Sequence, residues 1–138
     1  MIYYFTGQPG AGKTTLAVLS YDDGCIHIDG DDIRDIFNNK DYSEEGRKQN
    51  IRRAHDIAQF MDAKGYTVII SLVSPYRELR DELKSKTNVV EIYVHTTEIR
   101  GREHYHVKDY EPPIKDFIDL DTTNENVLDT WNKLTKLW

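Results

Sequence analysis

A single cysteine, Cys25, excludes an internal disulfide, and with no second thiol near it a cysteine-based structural zinc site is excluded as well. Cys25 is expected as a buried structural thiol. Long apolar runs are also missing: stretches such as Val68-Ile69-Ile70 are far too short to cross a bilayer. The N-terminus passes from Met1 directly into Ile-Tyr-Tyr-Phe without the basic start and apolar core of a signal peptide, which predicts a cytoplasmic protein. Positive charge is in the minority, 18 Lys and Arg against 24 Asp and Glu, a net charge of -6. Such a balance argues against an extended nucleic-acid footprint, whose affinity comes from many cations neutralising phosphates, but leaves room for a local basic pocket. Internal repeats, low-complexity tracts and linkers are absent, so one domain over residues 1–138 is expected.

What the chain does have is an alternation of short apolar runs and longer amphipathic stretches, the pattern of strands joined by crossover helices. It predicts an α/β fold of three layers, a parallel five-stranded sheet with helices on both faces. The strands are expected at Ile2–Thr6, Cys25–Ile28, Tyr66–Ser71, Val89–Val94 and Phe117–Leu120. The first helix starts near Lys13 and turns Leu16, Ala17 and Leu19 inward; the second carries Ile33, Ile36 and Phe37. The longest, Ser43 to Lys64, places Ile51, Ala54, Ala58 and Met61 on one face and ends at Gly65. Pro75 is expected in the first turn of a helix over Tyr76–Ser85. The last helix opens on Thr122-x-x-Glu125, a capping-box pattern, and buries Val127, Trp131 and Leu134, with Trp131 and Trp138 read as packing residues. The polar segment 96–113, rich in His and Arg, reads as a mobile loop or lid.

Gly7-Gln8-Pro9-Gly10-Ala11-Gly12-Lys13-Thr14 matches G-x-x-x-x-G-K-[ST] in full, directly after one expected strand and directly before a helix. Glycines let consecutive N–H groups face inward, and the helix dipole adds partial positive charge where phosphates sit. Lys13 is expected to reach the β- and γ-phosphates and Thr14 to ligate Mg²⁺, with Thr15 completing the nucleotide-binding set. Guanine readers carry an N-K-x-D run, whereas the nearest string, Asn38-Asn39-Lys40-Asp41, misplaces the Lys. ATP is therefore the expected donor.

In a parallel sheet, ligands lie beyond the carboxyl ends of the strands. After the second strand come Asp29 and Asp31, with Arg34 one helical step beyond Asp31. A carboxylate there suits Mg²⁺ or an acceptor's hydroxyl proton, and a guanidinium suits an anionic acceptor. Arg47 and Asn50 share a face of the long helix, with Arg52 and Arg53 directed elsewhere. Ser71-x-x-Ser74-Pro75-Tyr-Arg77 offers hydroxyls and a helix N-terminus at another anion-binding position. His104-Tyr-His106 spaces two imidazoles as some metal sites do, but no third ligand is evident and a solvated loop is the expectation.

Taken in order, Asp29-Gly-Asp-x-x-Arg34, Tyr42-Ser-Glu-Glu-x-Arg47-x-x-Asn50-Ile-Arg-Arg53, Ser71-x-x-Ser74-Pro-Tyr-Arg77 and Tyr110-Glu-Pro-Pro113 resemble the successive motifs of adenylylsulfate kinases. That resemblance implies a P-loop kinase moving the γ-phosphate of ATP, with Mg²⁺, to the ribose 3′-hydroxyl of adenylylsulfate in sulfate activation. It makes Asp31 the candidate base, acting with Lys13 and Arg34, and Thr14 and Asp29 the candidate metal ligands. Arg34, Arg47, Asn50 and Ser74 would hold the acceptor, and Tyr42 would stack on its adenine where the family places a Phe. A homodimer is a further possibility the family raises.

The departure from the family lies between the fourth strand and Tyr110: a long basic segment is cut down to Thr96–Asp109, and Arg102, with Tyr105 nearby, stands where a Phe would sandwich adenine. Three readings stay open. Arg100, Arg102 and Lys108 do the lid's work in an adenylylsulfate kinase; or the P-loop kinase takes another nucleotide or a nucleic-acid end as acceptor; or the chain is a non-catalytic ATP-binding module.

Overall fold

A computed structural model describes residues 1–20, 24–101, 103 and 106–137. Five parallel strands, β1 (Ile2–Thr6), β2 (Cys25–Asp29), β3 (Thr67–Leu72), β4 (Val89–His95) and β5 (Phe117–Asp121), form one sheet in the order β2-β3-β1-β4-β5. The helices are α1 (Lys13–Ser20), α2 (Gly30–Phe37), α3 (Glu44–Ala63), α4 (Arg77–Lys86) and α5 (Val127–Thr135). The α/β expectation holds, and helices cover both faces of the sheet.

Alternation along the strands decides the layering, because neighbouring residues of a strand face opposite sides. Ile2 and Tyr4 of β1 and Val68 and Ile70 of β3 join Ile33, Ala54, Ala58 and Leu83 in one core. Phe5, Ile69, Ile92, Val94 and Leu120 meet Leu16, Ala17 and Leu134 in the other. Strands covered on both faces read as near-continuous apolar runs, which is why β3 was recognisable. Cys25 is buried, and Trp131 packs against the second core, as expected. Trp138 lies outside the described residues.

Two inward assignments fail: Leu19 and Val127 are 41% and 44% exposed. Each sits on an amphipathic helix just outside the stripe that the sheet covers, where helical period alone cannot fix the stripe's width. Pro75 precedes α4, whose N-cap is Tyr76. The last helix is capped not by Thr122 but by Asn126, whose side chain accepts from Asp129 N. Ser43 caps α3 by accepting from Gly46 N, and Gly65 follows that helix at φ 93°.

Candidate nucleotide and acceptor site

The loop between β1 and α1 lies at the carboxyl edge of the sheet's central strand. Gly7 has φ 152°, and a Cβ added there would stand 2.1 Å from the Val94 carbonyl oxygen, so β4 passes where any side chain would be. Gly10 and Gly12, at φ 84° and 108°, occupy the left-handed region that lets the loop curl. The turn closes through Ala11 N to Gln8 O at 3.3 Å, and the Lys13 ammonium donates to the same Gln8 carbonyl at 3.0 Å. Backbone, more than side chain, shapes this cradle.

A cleft of about 1100 Å³ opens over the loop, and the P-loop from Pro9 to Thr15 forms one side of it. Its other side is formed by Asp29, Asp31, Arg34, Tyr42, Arg47 and Asn50, with Ser74 on the floor. The structure thus brings the acceptor candidates to the mouth of the phosphate cradle from three separate stretches of chain. Gly7 and the Gln8 side chain stand outside it. Gln8 instead clasps the later segment: its amide donates to Val107 O at 2.9 Å and its carbonyl accepts from Val107 N at 2.8 Å.

Several candidates carry structural duties besides facing the cleft. Asp29 caps α2, its Oδ1 accepting from Asp32 N at 3.0 Å. Arg34 Nη1 donates to Asn39 O, Asn39 Oδ1 and Asp41 O at 3.2, 3.3 and 3.1 Å, while its guanidinium lies 4.1 Å from the centre of the Tyr42 ring. One face of that ring is therefore backed by a cation, and the residue is 65% exposed. Gly46 was not foreseen: a Cβ there would come within 2.3 to 2.5 Å of Asp41 atoms, so only glycine lets the 39–41 loop seat against α3. Asn50 is buried, its Nδ2 donates to Gly30 O at 3.3 Å, and its Oδ1 has no partner among the described residues. Arg52 and Arg53 do not line the cleft; Arg53 covers the Phe37 ring at 4.5 Å.

The helix N-terminus expected to bind an anion after β3 is already filled. Arg77 N donates to Glu111 Oε1 at 2.8 Å, so a carboxylate caps α4 from across the fold. The Tyr110-Glu111-Pro112-Pro113 motif thereby works as a strap: Glu111 N donates to Pro75 O at 2.9 Å and Arg77 Nε to Pro112 O at 2.8 Å. Thr6 Oγ1 gives its proton to Val73 O, so its 2.8 Å bond with Tyr110 must be donated by the phenol. Burial pushes the Tyr110 hydroxyl up to about 12, which keeps it protonated and able to donate.

Ser74 adopts φ 44°, and its hydroxyl accepts from the Tyr4 phenol at 2.8 Å. Beneath it, Arg80, 1% exposed, donates to the Ser74 carbonyl and to Glu91 at 2.8 Å, with Lys84 on the other Glu91 oxygen at 2.8 Å. Sequence reading missed this floor. Its one signal was Glu91 interrupting the apolar run of β4.

Of the residues left to cover the donor side, Arg100 lies over the P-loop. Its Nη1 donates to Gly10 O and Ala11 O, both at 3.3 Å, its Nη2 to Thr122 O at 2.8 Å, and Glu98 pairs with it at 2.8 Å. Thr122 adds a bond from Oγ1 to Ala11 O at 3.0 Å, the role its hydroxyl has in place of a helix cap. Lys108 is exposed and outside the cleft. Arg102, His104 and Tyr105 lie outside the described residues, and His106 Nε2 meets Pro9 O at 3.2 Å. Among the described residues no three His, Cys, Asp or Glu side chains gather as metal ligands.

The adenylylsulphate kinase family model matches residues 1–124. The chain belongs to that family. It is 32% identical to the adenylyl-sulfate kinase of Microcystis aeruginosa over 97% of this chain and 91% of that protein. The adenylyl-sulfate kinase of Staphylococcus carnosus is 32% identical over 91% of this chain and 70% of its own length. The Microcystis alignment runs over 164 residues although this chain has 138, so that relative carries segments this family member lacks. Among solved structures, the Mycobacterium tuberculosis APS kinase CysC in complex with AMPPNP and APS superposes with a TM-score of 0.79 at 20% identity, covering 99% of this chain and 95% of that one. At that identity the likeness establishes the fold.

Proposed function

We propose that this family member transfers the γ-phosphoryl group of ATP to the 3′-hydroxyl of adenylylsulfate. The observation that carries the reading is Asn50: a buried carboxamide oxygen without a partner among the described residues, lining the same cleft as the phosphate cradle. Unpartnered buried acceptors are rare and costly, and a bound nucleotide's donor groups would satisfy this one.

The P-loop N–H groups and Lys13 hold the donor's phosphates at the N-terminus of α1. Mg²⁺ would be held by Thr14 with Asp29, an all-oxygen set of the kind that ion prefers, and one Asp29 oxygen is committed to capping α2 while the carboxylate has a second. When bound, the ion offsets charge on the transferring phosphoryl group. Asp31 takes the proton of the acceptor hydroxyl as its oxygen bonds to the γ-phosphorus and the bond to the bridging oxygen breaks, releasing ADP. Arg34 and Arg47 bind the phosphosulfate, and Tyr42, backed by Arg34, stacks on adenine.

The test is ADP formation from ATP and Mg²⁺ with and without adenylylsulfate, alongside thermal shifts. Stabilisation by adenylylsulfate no larger than by AMP would point to another nucleotide acceptor. ATP binding without turnover on any acceptor would make the chain a nucleotide-binding module. The reading includes one P-loop kinase domain over residues 1–138, a cytoplasmic location, for which the absence of any described helix long and apolar enough to cross a membrane is compatible support, and a homodimer that sedimentation would detect.

A further inference from the structure

Behind the acceptor half of the cleft lies a hydrogen-bond chain that the reaction as drawn does not use. His55 Nε2 meets the Tyr4 hydroxyl at 2.7 Å, and that hydroxyl donates to Ser74 Oγ at 2.8 Å. All three residues are buried, at 6%, 1% and 2% exposure, and the Tyr4 and His55 rings meet edge to face at 5.3 Å. They come from three elements, β1, α3 and the turn after β3.

The polarity of this chain follows from proton counting. A phenol has one O–H; since Tyr4 gives it to Ser74, the bond with His55 must be donated by the imidazole, which makes His55 the Nε2–H tautomer. Ser74 then accepts from behind and retains its own proton. Its carbonyl is occupied by Arg80, and the residue, at φ 44°, lines the cleft floor. Successive donation polarises each member, so a hydroxyl fed from two donors in series is a stronger donor than an isolated serine.

We propose that Tyr4 and His55 are positioning residues which act through Ser74, fixing its hydroxyl as a hydrogen-bond donor toward the anionic acceptor. The inference rests on the proposed function for the identity of that acceptor, but not for the chain itself. Neutral His55 is required, and burial does depress its pKa, to about 4.

Two measurements test it. In the ligand-free wild type, ¹⁵N resonances of the His55 ring report the tautomer directly: the Nε2–H form at neutral pH is expected, and an Nδ1–H or doubly protonated ring overturns the chain's direction. In transfer assays, Tyr4→Phe is expected to raise KM for adenylylsulfate roughly 5- to 10-fold, the loss of one to two hydrogen bonds, with KM for ATP within twofold. His55→Gln keeps an N–H that can reach Tyr4 and should restore acceptor binding toward wild type, whereas His55→Leu should not. Both KM values rising together, or Gln and Leu behaving alike, would reduce the network to core packing. If the wild type transfers nothing to adenylylsulfate, the functional reading fails on its own, and the tautomer still decides the chain.

Discussion

The two ends of the cleft are made of different material. The donor end is a contiguous loop whose shape is set by glycine backbone, closed by its own amides and gripped from outside through its carbonyls by Arg100 and Thr122. The acceptor end is an assembly of side chains from α2, α3 and the turn after β3, each holding another in place: Arg34 the 39–41 loop, Asn50 the Gly30 carbonyl, Tyr4 the Ser74 hydroxyl. A donor site of the first kind survives changes in what surrounds it. An acceptor site of the second kind can lose chemistry through one atom while the donor end stays intact. Asp31→Asn is the sharpest way to separate them: transfer to the acceptor should fall by about 10³-fold, some 4 kcal/mol of barrier, with ATP affinity unchanged. Retained transfer, measured as ADP release with adenylylsulfate present, would remove Asp31 from the role of base.

The opposite break comes from Gly7→Ala. The new methyl would collide with the Val94 carbonyl, and neither β1 nor β4, paired along their length, has room to yield. A loss of more than about 3 kcal/mol in unfolding free energy is expected, with donor and acceptor binding failing together. Urea unfolding of the variant checks this. A variant of normal stability that binds acceptor but not ATP would mean the loop tolerates a shift the geometry denies.

This contrast also explains what could be read from sequence. Gly7 to Thr14 announce themselves because the cradle's geometry is local, and local geometry leaves a motif of fixed spacing. The strands and the start of α3 at Ser43 were legible for the same reason. Asp31, Arg47 and Asn50 were legible as types and positions, since one helical step and the strand-end rule place them. What they bond to was not. The Arg34 contacts, the Glu111 cap on α4 and the Arg80 to Glu91 pair join residues 5 to 34 positions apart, and no period records such pairings. Segment 96–113 shows the same limit. Its composition suggested a mobile lid, yet Gln8, Thr6 and Arg77 each hold described parts of it by pairings that only the fold creates.

If the acceptor floor rests on a neutral buried histidine, it should weaken in acid while the donor loop does not. His55 titrates near 4 in the fold against 6.5 when exposed, chiefly because burial disfavours the charged ring, with Glu82 opposing and Lys86 and Arg80 reinforcing the shift. The unfolded chain then binds more protons through this range, so this contribution is complete above pH 6.5 and declines as pH falls toward 4. Roughly 2 kcal/mol should be lost between pH 6.5 and pH 5, and His55→Gln should flatten that limb in chemical unfolding curves. An identical limb in the variant would show that His55 does not stay neutral.

The smallest effect is expected where the two ends are tied together. Glu111 caps α4, whose own N-cap, Tyr76, makes no side-chain cap bond, and it does so from the strap whose other end Gln8 clasps at Val107. Glu111→Ala removes the cap and leaves the Gln8 clasp and the Tyr110 bond to Thr6 in place. The cost should be about 1 kcal/mol, the usual worth of a cap, seen as a fall of about 4 °C in Tm. If the strap is only a tie, KM for ATP should stay within twofold and the acceptor KM should move little more, because the Ser74 carbonyl is still held by Arg80. A large rise in KM for ATP alone would show instead that the strap transmits its tension to the P-loop, and that the two ends of the cleft are less independent than their construction implies.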